Sequence, residues 1–241
     1  MPCASRAGDR GHARHDGAMD TAQQSQRRRT IALMLCAGAV LVLTACLLGA
    51  WILARGDEPF AVDSWWNSLL VEVSSPVLAG FALVMDRIGG GWIGVLAVPI
   101  GGALALILLR RPWSAAYFLA ASAVSAALVQ VLKHLFGRVR PEEIIVVSDY
   151  GSYPSGHVAN AATIAVAAVV IFPRAWVAVV GAAWVVLMAF SRTYVHAHWL
   201  SDTLGGAILG AGAALLVAAA FEVVLAKERG ERTDGARSTP G

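Results

Sequence analysis

Charge is scarce in this chain. Aspartate, glutamate, lysine and arginine make up 15% of its 241 residues, against about 25% in an ordinary soluble domain. What charge there is gathers at the two ends and at a few interior points, with long uncharged stretches between. Together with an apolar share of 57%, this is the composition of a polytopic membrane protein and not of a larger soluble core. Cysteine is scarce too. Cys36 and Cys46 share one apolar run and lie ten positions apart, about 15 Å along a helix, which is too far for a disulfide. With Cys3 the only other thiol, there is neither a disulfide framework nor a metal-ligand spacing. The formal net charge is only +3 and no basic stripe is interleaved with aromatics, so a nucleic-acid surface is excluded.

What the chain does have is long apolar runs. Residues 1–30 are polar and close on Arg27, Arg28 and Arg29; they read as a disordered cytoplasmic tail, with Met19 an alternative start. Residues 31–54 carry no charge and exceed the ~20 residues a helix needs to cross a bilayer. Leu43-Thr44-Ala45-Cys46 within that run resembles a bacterial lipoprotein cleavage box. The apolar residues continue to Ala54, where a processed lipoprotein turns polar, so the run reads as one helix. Residues 55–90 are mixed. Trp65 and Trp66 suit a membrane interface, and Leu69, Leu70 and Val73 share a helix face that fits the bilayer surface. Residues 76–85 are apolar but too short to span alone, and Gly89, Gly90 and Gly91 then break the chain. Further runs at about 92–109, 113–136, 156–172, 174–192 and 200–225 bring the expected spans to about six. The expected fold is an all-α polytopic membrane bundle over 31–226, with a second disordered cytoplasmic tail over 227–241. Gly206 and Gly210 have the spacing of close helix packing, which fits a contact inside one bundle.

Orientation follows from the cations, since cytoplasmic loops carry an excess of lysine and arginine. With the N-terminus in the cytoplasm, thirteen of the 19 fall on that side. The outer side receives Arg55, Arg87, Lys133, Arg138, Arg140 and Arg192.

Several of those outer cations belong to three clusters that place costly ionisable groups at the ends of apolar helices, which marks a functional site by default. The first is Lys133-His-Leu-Phe-Gly-Arg-Val-Arg140-Pro141. Seven positions are about two helical turns, so Lys133 and Arg140 share a face if the helix persists. Pro141 disfavours helix at Arg140 and marks the exit. Two cations on one face suit an anion with several oxygens; snorkelling at a helix end explains the pair equally well when it is taken alone. The second cluster is Tyr153-Pro154-Ser155-Gly156-His157, directly before an apolar run. A helix start offers free N–H groups to an anion, Gly156 permits close approach, Ser155 adds a hydroxyl, and His157 exchanges protons near neutrality. An ordinary capped helix with an interfacial histidine is the plainer account. The third runs from Ser191 and Arg192 to His198 and Asp202. His198 and Asp202 are four apart and so face each other on a helix. A carboxylate beside an imidazole fixes its tautomer and stabilises its cation, and Arg192 offers a planar fork for phosphate oxygens. The expected topology brings all three clusters to one face of the bundle, which unrelated local explanations do not predict.

Lys-x6-Arg-Pro, Pro-Ser-Gly-His and Ser-Arg-x5-His-x3-Asp occur here in order and with full spacing, from Lys133 to Asp202. They resemble the three signatures of the type 2 phosphatidic acid phosphatase family, with no departure at any motif position. The resemblance implies a membrane lipid phosphate phosphatase. His198 would be the nucleophile, Asp202 its orienting partner and His157 the general acid. Lys133, Arg140, Arg192, Ser155 and the Gly156 N–H would hold the phosphate. The intermediate would be a phosphohistidine, with no metal or cofactor. His196, His134, His12 and His15 fit no signature.

Three other readings remain at this point: a transporter, which would spread its charges across mid-membrane; a vanadate-dependent haloperoxidase, whose relatives look soluble; and a non-catalytic lipid-phosphate binding protein on the same fold. The expected partners are a lipid phosphate substrate and membrane lipids, with no nucleic acid and no obligate protein partner. Candidate substrates are undecaprenyl or another polyprenyl diphosphate, phosphatidic acid, phosphatidylglycerol phosphate and diacylglycerol diphosphate. Alanine content and charge placement suggest a multi-pass protein of a bacterial inner membrane, with both termini cytoplasmic and the active site facing out.

Overall fold

The computed structural model describes the backbone of residues 7–237 and the side chains of residues 24–230. Among the described residues it is all-helical: α1 (Ala7–Ala54), α2 (Ala61–Glu72), α3 (Pro76–Gly89), α4 (Val98–Leu108), α5 (Pro112–Phe136), α6 (Gly156–Ile171), α7 (Ala175–Tyr194) and α8 (Leu200–Arg237), with a π-helical turn at Ile93–Ala97. Helix α1 begins at Ala7 and α8 runs to Arg237, so the described backbone includes part of each tail named in the sequence reading. Once a helix is nucleated each further residue adds a hydrogen bond, and α1 and α8 are already nucleated by their apolar lengths. Most of the side chains in those tails lie outside the described residues.

Helices α1, α5, α7 and α8 are each long and apolar enough to cross a membrane, and α3 with α4 forms a fifth candidate bent by 48°. The sequence reading takes 76–85 as too short to span alone and 92–109 as a separate run; in the structure the two are joined through this bend. The two segments meet at Gly89, Gly90 and Gly91 and at the π-helical turn, the kind of break where sharp kinks arise. The expected span at 156–172 is α6, with 16 residues, or about 24 Å against a hydrocarbon core of ~30 Å. Pro173 and Arg174 end it, as a proline after a helix commonly does.

The centre of the bundle is α8, which packs against α1, α5, α6 and α7. It packs closely against α6, and glycine is the reason. A Cβ on Gly206 would lie 2.4 Å from the Ser155 carbonyl oxygen, and one on Gly210 would lie 2.1 Å from that of Ala159. Neither is sterically allowed, so the small-residue pair does serve packing within the bundle. Thr163 ties α6 to α5 by donating to Ser125 Oγ at 2.8 Å, so the hydroxyls buried there are satisfied.

The short α2 does more than lie on a surface. Leu70 is buried in a cluster with Ala82, Tyr194, Val195 and Ala197, so α2 and α3 cover the turn between α7 and α8. That turn carries His198.

Candidate active site

Four helix ends meet beneath that cover: the C-terminus of α5, the N-terminus of α6, the C-terminus of α7 and the N-terminus of α8. Lys133 sits in the last turn of α5, which is capped by Gly137 in the left-handed region at φ 58°. Residues 138–155 then run without helix to the start of α6 at Gly156. Arg192 occupies the last turn of α7, His198 the following turn, and Asp202 the first turn of α8. A cavity of about 440 Å³ opens there, lined by Lys133, Gly156, His157, Arg192 and His198 among others. Residues from all three sequence clusters therefore share one space.

His198 is buried, and its Nδ1 lies 2.7 Å from the Ser152 carbonyl oxygen. A carbonyl only accepts, so Nδ1 carries the hydrogen and Nε2 presents its lone pair. Arg140 Nη1 stands 3.4 Å from that Nε2. Burial, and then the charges of Arg192, Arg140 and Lys133, hold the imidazole well below its usual pKa. Neutral pH therefore leaves Nε2 unprotonated.

The expected pairing of His198 with Asp202 is not a direct hydrogen bond. Asp202 Oδ2 is 3.8 Å from His198 Nδ1. The carboxylate is taken up elsewhere: it accepts from Arg138 Nη1 at 2.5 Å and from the Trp199 N–H at 2.9 Å. The second bond caps α8, because helix starts leave N–H groups without partners. Ser152 therefore makes the hydrogen bond to the His198 ring nitrogen, and the Asp202 carboxylate stands just beyond it.

Arg138 was counted in sequence only as an outer cation. It is fully buried and pairs with Asp63 of α2 at 2.9 Å as well as with Asp202. Asp63 also accepts from the Ser201 N–H at 2.8 Å and the Ser201 hydroxyl at 2.7 Å. Charged groups with no exposure are tolerated when paired and hydrogen-bonded in this way. A charged residue between Lys133 and Arg140 was the available signal for Arg138; nothing in the spacing marks Asp63.

His157 is placed by α3. Its Nε2 lies 3.0 Å from the Asp86 carbonyl oxygen and 3.4 Å from Asp86 Oδ1. A Cβ on Gly90 would fall 2.1 Å from that same nitrogen, so the glycine break makes room for the ring. The Asp86 carboxylate also accepts from Arg192. Asp86 was not singled out in sequence, although an acid at the end of an apolar helix is an expensive placement. Ser155 is buried, its backbone N–H donates to the Asp202 carbonyl at 3.0 Å, and its hydroxyl has no protein partner. An orphaned buried hydroxyl beside this cavity suits a ligand oxygen. His196 points away and bonds Asn67 of α2 at 2.7 Å.

A profile of the PAP2 superfamily matches residues 114–224. The decaprenylphosphoryl-5-phosphoribose phosphatase of Mycobacterium tuberculosis is 31% identical over 150 residues, covering 60% of this chain and 81% of that protein. This chain belongs to the PAP2 superfamily. An undecaprenyl-diphosphatase of Sulfolobus acidocaldarius is 27% identical over 183 residues, covering 71% of this chain and 84% of the relative. In structure, the transmembrane PAP2-type phosphatidylglycerolphosphate phosphatase of Bacillus subtilis superposes with a TM-score of 0.67 at 26% identity, over 78% of this chain and 96% of the other. The PAP2 relatives are phosphatases and the solved neighbour is a membrane protein, so this PAP2 chain is a multi-pass membrane phosphatase.

Proposed function

We propose that the chain hydrolyses a phosphate monoester or diphosphate of a lipid through a phosphohistidine on His198. The observation that carries this reading is the state of His198: its Nδ1 is committed to Ser152, and its Nε2 is unprotonated among three cations. In the first step the Nε2 lone pair attacks phosphorus and the bond to the lipid oxygen breaks, while His157 gives that oxygen a proton. In the second, water attacks phosphorus, His157 takes the proton, and the N–P bond breaks to release phosphate. Each step is easier than one direct displacement. Lys133, Arg140 and Arg192, with Ser155 and the Gly156 N–H, hold the phosphoryl oxygens, since phosphoryl transfer depends on positioning and charge stabilisation. Asp202 stabilises the imidazolium through space. Three cations around one site also disfavour a further metal cation there.

A lipid substrate is supported by the shape of the cavity. From Lys133 it follows α5 back to Ser122, with Val95 and Pro99 on the opposite wall. Eleven helical residues are about 16 Å, enough for a headgroup and the start of a chain entering between α4 and α5. The proposed setting is a bacterial inner membrane with both termini cytoplasmic and this site at the outer face. The test is phosphate release from a panel of polyprenyl diphosphate, phosphatidic acid, phosphatidylglycerol phosphate and diacylglycerol diphosphate in detergent. Release by the parent, absent in a folded His198→Ala variant, is expected. Undiminished release by that variant would remove His198 from the reaction.

A further inference from the structure

The three cations expected to hold phosphate are not waiting empty. Lys133 Nζ and Arg140 Nη2 both donate to a single oxygen, Asp149 Oδ1, each at 2.9 Å. The Gly151 carbonyl accepts from the same two groups at 2.8 Å each. Arg192 donates to Asp86. One oxygen shared by an ammonium and a guanidinium is the arrangement a phosphate oxygen would take up. Neither acid belongs to the three signatures, and the two reach the cations from different parts of the chain.

We infer that Asp149 and Asp86 are resident anions that stand in for substrate phosphate, and that Asp149 sets phosphate affinity by exchanging with it. The inference rests on the assignment of these cations to phosphate binding. The exposures favour such an exchange. The Asp149 side chain is 56% exposed and belongs to a segment without helix, whereas that of Lys133 is 3% exposed. Asp149 can therefore leave for water at little cost. Lys133 cannot, and a buried cation without a partner is strongly disfavoured. When phosphate departs, the carboxylate returns to Lys133 and the site closes on itself. Burial would raise the Asp149 pKa, but Lys133 and Arg140 outweigh it and hold the carboxyl below its usual value, so the stand-in is charged at neutral pH.

A substrate that must displace a resident anion binds more weakly than its contacts alone would allow, by the fraction of molecules already open. Removing the charge of Asp149 removes that competition. The experiment is calorimetric titration of inorganic phosphate into the purified parent, Asp149→Asn and Asp149→Glu, beside steady-state turnover of whichever lipid the parent hydrolyses. If the open form is about a tenth of the parent, phosphate should bind Asp149→Asn about tenfold more tightly, and Asp149→Glu should return towards the parent. In turnover, Asp149→Asn should lower KM and also lower kcat, because product phosphate is no longer expelled. A merely structural role for Asp149 would instead weaken binding. Unchanged or weaker phosphate binding in folded Asp149→Asn would overturn the inference. Calorimetry needs no turnover, so a parent that binds phosphate but hydrolyses no lipid would count against the proposed reaction and leave the exchange intact.

Discussion

Replacing Arg138 with methionine should destabilise the protein more than any other single change at the site. The guanidinium is fully buried and holds two buried carboxylates, Asp63 at 2.9 Å and Asp202 at 2.5 Å. Methionine keeps much of the side chain's length and removes the charge, leaving two like charges out of water with no cation between them. Removing one partner of a buried pair costs about 3–5 kcal/mol, and here one substitution strips two pairs, so the upper end applies. Neutralising one of the stranded acids should then help. Asp63→Asn alone keeps the Arg138–Asp202 pair and loses charge-assisted hydrogen bonds, a cost of about 1.5–3 kcal/mol. Placed on the Arg138→Met background, the same change removes an uncompensated charge, so the double variant should be more stable than Arg138→Met alone. Non-additivity of at least ~1 kcal/mol is ordinary for residues in contact. Denaturant unfolding in detergent micelles measures all four proteins. An Arg138→Met variant within ~1 kcal/mol of the parent, or a double variant less stable than that single, would refute the charge argument.

Three more outcomes are expected. Because burial and the neighbouring cations hold the His198 pKa well below its usual 6.5, Nε2 stays unprotonated to lower pH, and the acid limb of kcat/KM should fall below pH ~6.5; a limb at or above that value contradicts the assignment. For stability the sign is the same: the folded state resists a proton that the unfolded state accepts, so this contribution is present above pH ~6.5 and is lost as pH falls. Gly210→Ala would press a methyl against the Ala159 carbonyl and should cost about 1–3 kcal/mol in the same unfolding assay, whereas an unaffected midpoint would mean that α6 and α8 are free to separate. Phosphate release should persist in excess chelator, and loss restored by added magnesium would overturn a reaction run by side-chain cations.

The parts of the site that can be read from sequence are those fixed by local spacing. The interval from Lys133 to Arg140, the Pro-Ser-Gly-His run and the interval from Arg192 to Asp202 each state a geometry within a few turns, and the helical bundle brings them to one end. Gly206 and Gly210 were legible for the same reason. What stayed hidden depends on long separations. Arg138 and Asp63 are 75 positions apart and Arg192 and Asp86 are 106 apart, and no period connects them. His198 and Asp202 do come near each other, at 3.8 Å, but without the direct bond that one shared helix would suggest, because α8 begins at Leu200, after the histidine. Gly89, Gly90 and Gly91 read in sequence as a break, and α3 does end at Gly89; the 48° angle between the two flanking helices has no local signature.

The family profile begins at residue 114, and every cation at this site lies within it. Asp63 and Asp86, which neutralise two of those cations, lie before it, on α2 and α3. The catalytic half of the chain would therefore be left over-positive if grafted onto another relative's amino-terminal half. An exchange of those halves between relatives should work only where the incoming segment supplies a carboxylate against Arg138 and another against Arg192. Anyone comparing relatives of this protein has a reason to look for those two acids in a region that the shared signatures do not mark.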